Sequence, residues 1–94
     1  MKDRKALAEF RIHLLAALYK CRPVALKPAT LLQRIRSGMP EADKDQVQPE
    51  LQYFVDKGYV VEVMEPLGAT RYYRLHANGV DYMERSHWDW VKGT

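Results

Sequence analysis

The sequence contains little that could support catalysis, metal binding or export. Its single cysteine, Cys21, cannot form an internal disulfide, so nothing points to an oxidising compartment. The three histidines, His13, His76 and His87, show no metal-ligand spacing with it. No glycine-rich phosphate loop, paired-carboxylate site or Ser/His/Asp arrangement is visible, so we expect no enzyme and no cofactor.

Long hydrophobic runs are missing as well. No run approaches the ~20 apolar residues of a transmembrane helix, so we expect no membrane span. The basic stretch Met1–Lys5 could begin a signal peptide, but Glu9, Arg11 and His13 interrupt the apolar segment that follows it. With 94 residues, of which 47% are hydrophobic, we expect one folded domain over residues 1–94 and a cytoplasmic location.

One stretch, Gln46–Val61, contains a helix pattern followed directly by a strand pattern. Four apolar residues recur at the spacing of one helix face: Val47, Leu51, Phe54 and Val55. Gly58 then offers the left-handed conformation that ends a helix, and Tyr59–Met64 is rich in β-branched and aromatic residues. A second strand-like run, Thr70–Leu75, follows after the short loop Glu65–Ala69. The stretch therefore predicts a β-hairpin attached to a helix.

The flanking sequence predicts three more helices. Asp3 can cap helix 1 and Pro23 stops it, while Pro28 suits the first turn of helix 2. Val24–Leu26 is expected to pair with the hairpin as a third strand. The predicted elements are helix 1 at about 3–20, helix 2 at about 28–37, helix 3 at about 45–57, the hairpin at about 59–75 and helix 4 at about 77–91. This order predicts a mainly α fold with a small antiparallel sheet (α+β), a winged helix-turn-helix with a C-terminal helix.

Pro49 decides where helix 3 is expected to begin. A proline deep inside a helix costs about 3 kcal/mol or more, so we place Pro49 in the first turn. Helix 3 then starts at Asp45 or Gln46, with Asp45 and Gln48 forming a capping box.

Short motifs of the chain resemble the PadR-type winged helix-turn-helix family. Val47–Leu51 is similar to the stretch of that family in which a tyrosine-proline pair precedes a leucine, with Gln48 where the tyrosine usually stands. Lys57–Val60 is similar to the Glu/Lys-Gly-Leu-Ile run that ends the family's recognition helix. Arg71–His76 with Gly79 is similar to its wing exit, with His76 replacing Thr or Ser. The resemblance implies a dimeric, cytoplasmic DNA-binding transcriptional regulator. Helix 3 would enter the major groove, the wing would touch the flanking backbone, and the first and last helices would form the dimer.

Charge is distributed unevenly along the chain. Residues 1–36 carry a formal charge of +7, residues 37–65 carry −5, and the remainder carries +1. Basic surface attracts phosphate and acidic surface repels it. The N-terminal third is therefore the expected source of contacts to a nucleic acid backbone.

Eight residues are candidates for contacts to duplex DNA, and they fall into three groups. Lys27, Arg34 and Arg36 could grip backbone phosphates, as the first helix of a helix-turn-helix does. Exposed donors early in helix 3 could read base edges, since Gln pairs with adenine and Lys with guanine: Lys44, Gln46, Gln48 and Gln52. Arg71 would serve the wing; its alternative is an ion pair with Glu62 or Glu65.

The acids of helix 3 leave a second hypothesis open. Asp43, Asp45 and Glu50 stand among the candidate donors, where they would face phosphates. They could instead cap the helix and complement its dipole. They also allow a winged-helix protein-interaction module that does not bind DNA and uses this acidic face on a protein partner.

The C-terminal tryptophans suggest self-association. Trp88 and Trp90 lie within three residues of each other, and burying such side chains is worth several kcal/mol. One can cover helix 1, and the other needs a partner, for which a second subunit is the simplest choice. We expect a homodimer whose interface includes Phe10, Leu14, Tyr82, Trp88 and Trp90.

Overall fold

Five helices and one antiparallel β-hairpin make up residues 4–94, the part of the chain that the computed structural model describes. The elements are α1 (Arg4–Lys20), α2 (Pro28–Gly38), α3 (Lys44–Asp56), β1 (Val60–Met64), β2 (Arg71–Leu75), α4 (Ala77–Ser86) and α5 (Trp88–Val91). This confirms the mainly α class with a small antiparallel sheet. The predicted cap, Asp3, lies outside the described residues.

Helix α1 forms the centre of the core. It packs against α2, α4, α5 and β2, and its longest apolar side chains are almost completely buried: Phe10, Leu14, Leu15 and Leu18. The facing elements supply Leu31 and Ile35 from α2, Leu51 and Phe54 from α3, and Tyr73, Met83 and Val91 from the rest of the chain. Each fully buried Leu, Ile or Phe contributes roughly 1.5–3 kcal/mol.

The start of α3 differs from the prediction. The helix begins at Lys44, and Asp43 is the N-cap, because its side chain accepts a hydrogen bond from the Asp45 N–H at 2.9 Å. The predicted capping box of Asp45 and Gln48 is therefore wrong. Pro49 lies inside the helix and leaves the Asp45 carbonyl without its usual backbone donor. Asp45 is exposed, so water can reach that carbonyl, and the proline is tolerated beyond the first turn.

The end of α3 confirms the role predicted for Gly58. Its φ of +81° is left-handed, and the Gly58 N–H donates to the Val55 carbonyl at 3.0 Å. The Tyr59 N–H donates to the Phe54 carbonyl at 2.9 Å, which completes a Schellman motif, and the two rings stack at 6.2 Å. This motif turns the chain from α3 directly into β1.

The hairpin pairs Val60 with Leu75 at its base and Met64 with Arg71 near its tip. Leu26 forms an isolated bridge to Tyr73, in which each backbone N–H donates to the other residue's carbonyl at 2.8 Å. The third strand expected at Val24–Leu26 is therefore reduced to one residue.

The predicted C-terminal helix is broken. Helix α4 ends at Ser86, and His87 has the non-helical angles φ −139° and ψ 41°. The His87 ring nitrogen Nε2 lies 3.0 Å from the Tyr82 hydroxyl, and α5 follows as a separate turn packed against α1. The break allows Val91 to enter the core, with 1% of its surface exposed.

An ion pair between the half-buried Arg11 and the buried Glu50 joins α3 to α1. The Arg11 Nε donates to Glu50 Oε1 at 2.6 Å, and only 6% of Glu50 is exposed. Gln46 Nε2 donates to the other oxygen of the same carboxylate at 3.4 Å. The Arg11 guanidinium also lies 4.0 Å from the centre of the Tyr53 ring. Because an unpaired buried carboxylate is costly, this pair constrains how α3 sits on α1.

We expect Arg11→Met to lower the free energy of unfolding by about 2–3 kcal/mol, because it leaves the Glu50 carboxylate buried without its cation. The double variant Arg11→Met with Glu50→Met should lie within about 1 kcal/mol of the wild type, since it removes both charges. Urea denaturation followed by circular dichroism measures these values. Arg85→Met, at an exposed position of α4, is the control and should change little. If the double variant were as unstable as Arg11→Met, the loss of stability could not be attributed to the unpaired Glu50 carboxylate.

Candidate nucleic-acid interface

Helix α3 and the hairpin are joined by a chain of polar contacts. Gln48 Nε2 donates to the Tyr73 hydroxyl at 2.7 Å, and that hydroxyl lies 3.2 Å from Glu62 Oε2. The same Glu62 oxygen is 3.7 Å from a guanidinium nitrogen of Arg71. Tyr73 is completely buried, whereas Gln48 and Arg71 are exposed. The structure therefore connects two of the predicted DNA-contacting residues, one on α3 and one on the hairpin.

The other predicted base-reading residues have different surroundings. Gln46 is half-buried and turns towards Glu50, while Gln52 donates to Asp56 Oδ1 at 2.9 Å on the exposed face of its own helix. Lys44 is exposed and has no hydrogen-bond or ion-pair partner among the described side chains. Lys44 and Gln48 are one helical turn apart, so they lie on the same face of α3.

The three predicted phosphate contacts also separate. Arg36 Nε donates to the Ala42 carbonyl at 2.9 Å, so this side chain holds the turn between α2 and α3. The Lys27 ammonium lies 5.8 Å from the centre of the Tyr72 ring and remains exposed. Arg34 is exposed, and its guanidinium makes no hydrogen bond or ion pair within residues 4–94. Arg34 is therefore the cation on α2 most available to an external anion.

Arg71 adopts the alternative that the sequence left open, the ion pair with Glu62. Glu65 is engaged elsewhere, because it accepts a hydrogen bond from the Tyr72 hydroxyl at 2.8 Å. About half of the Arg71 side chain is exposed. Such a pair is worth under about 1 kcal/mol, so it does not prevent Arg71 from exchanging Glu62 for a phosphate.

The acids of α3 are less prominent on the surface than their number in the sequence suggests. Glu50, which was expected to face phosphates, is buried against Arg11 and contributes almost no exposed negative charge. Asp43 is exposed but engaged as the N-cap, and Asp45 is exposed in the first turn. Of the three acids that the sequence placed among the candidate donors, only Asp43 and Asp45 therefore remain at the surface, at the start of the helix.

Part of the predicted dimer interface is not available. Phe10 and Leu14 are completely buried in the core of their own chain, so they offer no surface to a second copy, and this part of the prediction is wrong. Tyr82 is half-buried and stacks on Tyr59 at 4.8 Å. Trp88 and Trp90 remain accessible, with 53% and 37% of their surfaces exposed.

An aromatic cleft was missed by the sequence analysis. It has a volume of about 230 Å³ and lies between α1, the end of α3 and α4. Its walls include Tyr53, Phe54, Tyr59, Tyr82 and His87, with Arg11 and Lys57 at one side. Tyr53, Phe54 and Tyr59 are close in the sequence, but Tyr82 lies on α4 and His87 lies just after that helix. Only the tertiary packing brings the five rings together.

The described region offers no group of three or more His, Cys, Asp and Glu side chains that could hold a metal ion. Between Arg4 and Thr94, no helix combines the length and the hydropathy needed to cross a bilayer. Comparison of the chain with protein-family models, with curated proteins and with solved structures gave no match.

His13 on α1 is partly buried where α1, α2 and α5 meet. Its ring packs edge-on against the Trp90 ring at 4.7 Å and lines a pocket with Lys20 and Arg34. Burial lowers the pKa of His13 from its ordinary 6.5; Glu9 and Glu41 oppose that shift, and Lys20 adds to it. The folded chain therefore favours the neutral imidazole.

We expect acidification from about pH 7.5 to about pH 5.5 to lower the thermal midpoint of unfolding. Because the pKa of His13 is lower in the folded chain, the unfolded chain binds the proton first. Stability is therefore lost as the pH falls through 6.5. Thermal melts at both pH values should show a smaller difference for His13→Gln than for the wild type. If the thermal midpoint of His13→Gln changed between the two pH values as much as that of the wild type, groups other than His13 would cause the loss of stability.

Proposed function

We propose that this chain is a small winged helix-turn-helix protein that binds duplex DNA and regulates transcription, without a cofactor. In this proposal α2 and α3 are the helix-turn-helix, α3 is the recognition helix and the hairpin is the wing. The order of elements supports the proposal, as does the Schellman motif at Gly58, which leads α3 directly into the hairpin. The family resemblance of the motifs points in the same direction.

The observation that carries the proposal is the polar contact between α3 and the hairpin. Gln48, Tyr73, Glu62 and Arg71 form one connected set, so the exposed side of α3 and the hairpin present a joined surface. A recognition helix with an adjacent β-element can contact base edges and the flanking backbone together. The burial of Glu50 removes one negative charge from the side of α3 that would face phosphates.

Exposed cations before α2, on α2, on α3 and on the hairpin suggest how the duplex would be held. Arg34 and Lys27 would contact backbone phosphates from α2 and the segment before it, while Lys44 and Gln48 would reach base edges in the major groove. Arg71 would exchange Glu62 for a phosphate next to the wing. Arg36 has a different role in this account, because it holds the turn between α2 and α3.

A second candidate function is a protein-interaction module that does not bind DNA. Two features favour it. Asp43 and Asp45 remain exposed at the start of α3, where they would repel phosphates. The hairpin tip also exposes apolar side chains, with Met64 half exposed and Leu67 completely exposed. A basic protein partner would complement the acids, and the apolar tip would add buried area.

We expect fluorescence anisotropy of a labelled mixed-sequence duplex to show tight binding at about 50 mM salt and much weaker binding at about 200 mM salt, because phosphate contacts release counterions. The double variant Arg34→Glu with Lys44→Glu should weaken low-salt binding by at least tenfold and flatten its salt dependence. Arg36 is left unchanged, because altering it would also disturb the α2–α3 turn.

The matched control reverses charge elsewhere, with Arg85→Glu and Lys92→Glu at exposed positions of α4 and the C-terminus. It should retain most of the wild-type affinity. Equal losses in both double variants would mean that net charge alone drives binding. No binding by the wild type at low salt would reject the DNA proposal and favour the protein-interaction module.

We also propose that the chain forms a homodimer through its C-terminal end. Trp88 is 53% exposed and lies beside Trp90, and an exposed tryptophan is a strong source of buried area at an interface. Sedimentation equilibrium should give a dimer for the wild type, and Trp88→Ser should raise the dissociation constant at least tenfold. Leu67→Ser, at the fully exposed hairpin tip, is the matched control and should leave the dimer intact. A monomeric wild type would contradict this proposal.

A further inference from the structure

The side-chain amide of Gln48 is held in one orientation by groups behind it. We infer that Tyr73 and Glu62 are positioning residues that turn Gln48 so that its free edge reads adenine in the major groove. This inference rests on the proposed DNA binding. It identifies the base that the site recognises and two residues, outside the predicted contact set, on which that recognition depends.

The orientation follows from counting hydrogens. The Tyr73 hydroxyl has one hydrogen, and the carboxylate of Glu62 at 3.2 Å has none to give, so Tyr73 must donate to Glu62. The Tyr73 oxygen can then only accept from Gln48, which lies 2.7 Å away. Of the two ends of the Gln48 amide, only Nε2 can donate. The nitrogen is therefore directed inward, and Oε1 is left free.

The anchor behind Gln48 is rigid. Tyr73 is completely buried, and its backbone is joined to Leu26 by two hydrogen bonds of 2.8 Å. The other helix α3 glutamines contact carboxylates of their own helix, Glu50 for Gln46 and Asp56 for Gln52. A carboxylate can accept from an amide, but these two contacts lie within one helix and do not involve the sheet. Among the helix α3 glutamines, only Gln48 is fixed by a buried group of the sheet.

The free edge of Gln48 matches adenine. With one N–H engaged by Tyr73, the exposed side chain retains Oε1 as an acceptor and its second N–H as a donor. Adenine presents a donor at N6 and an acceptor at N7 in the major groove, whereas guanine presents two acceptors, O6 and N7. A reversed amide would direct both N–H bonds outward and would suit guanine. By preventing that reversal, Tyr73 and Glu62 favour adenine over guanine.

Selection from a pool of random-sequence duplexes tests this inference. The wild-type chain should enrich adenine at one position of the site, and this preference should disappear in Gln48→Ala. Tyr73→Phe removes only the hydroxyl and should reduce the preference for adenine over guanine at that position by roughly tenfold. Its affinity for a non-selected duplex should stay within about twofold of the wild type, because the phosphate contacts are unchanged. A purely structural defect in Tyr73→Phe would lower the affinity for the selected site and the affinity for a non-selected duplex together.

Two further variants sharpen the test. Glu62→Gln keeps the Tyr73 hydroxyl and the size of the side chain, but its amide can donate to Tyr73. Tyr73 can then donate to a reversed Gln48, so the adenine preference should fall as it does in Tyr73→Phe. Tyr72→Phe is the matched control: it removes the hydroxyl that contacts Glu65 from the neighbouring strand residue and should leave the preference unchanged. If Tyr73→Phe fails to fold, Glu62→Gln alone decides the outcome.

The outcomes separate this inference from the proposed function. If the wild type binds no duplex at low salt, DNA binding is rejected and the inference is rejected with it. If the wild type selects a site but Tyr73→Phe and Glu62→Gln both retain the adenine preference, DNA binding stands and the inference is wrong. It is also wrong if Gln48→Ala retains every base preference of the wild type.

Discussion

The ion pair between Arg11 and Glu50 determines which side of α3 is buried against the rest of the protein. Glu50 is buried with the Arg11 guanidinium of α1 2.6 Å away, and the cost of leaving that carboxylate unpaired disfavours any rotation of α3 that separates the two. The pair therefore fixes the rotation of α3 about its axis, together with Val47, Leu51 and Phe54 in the core. With that rotation set, Lys44 and Gln48 are left on the exposed side.

The opposite end of α3 is constrained by Gly58. Its left-handed conformation and the hydrogen bond from Tyr59 to Phe54 leave no flexible linker between the helix and β1. The hairpin is therefore placed beside α3, close enough for Tyr73 to reach Gln48. A glycine at the end of α3 and a long-range ion pair at a buried carboxylate thus create a surface composed of a helix and a strand pair, and that surface supports the proposed function.

The elements set by local spacing could be predicted from the sequence. The apolar periodicity of α3, Gly58 at its end and the β-rich runs gave the helix and the hairpin to within a few residues, because nearest neighbours determine these features. The break at His87 could not be seen, since Val80, Met83, His87 and Val91 also fit one continuous helical stripe. The break depends on tertiary contacts, namely His87 with Tyr82 and Val91 with the core.

The sequence allowed the residues of the candidate site to be named, but it did not show which of them contact one another. Counting charges along the chain placed Glu50 on the surface, because Arg11 is 39 residues away and their pairing has no sequence signal. Arg36 was grouped with Arg34 because they are two residues apart, yet only Arg36 contacts the α2–α3 turn. The sequence shows that Phe10 and Leu14 are apolar, but it does not show whether the chain's own core or a second subunit covers them.

The most direct test of the central claim, that α3 and the hairpin together form a DNA-binding surface, is a heteronuclear NMR titration of the labelled chain with a short duplex at low salt. We expect chemical-shift changes to concentrate in Lys44–Gln52, Arg34 and the hairpin around Arg71, while α4 shifts little. Changes confined to the aromatic cleft or to Trp88–Val91, or no change at all, would contradict it.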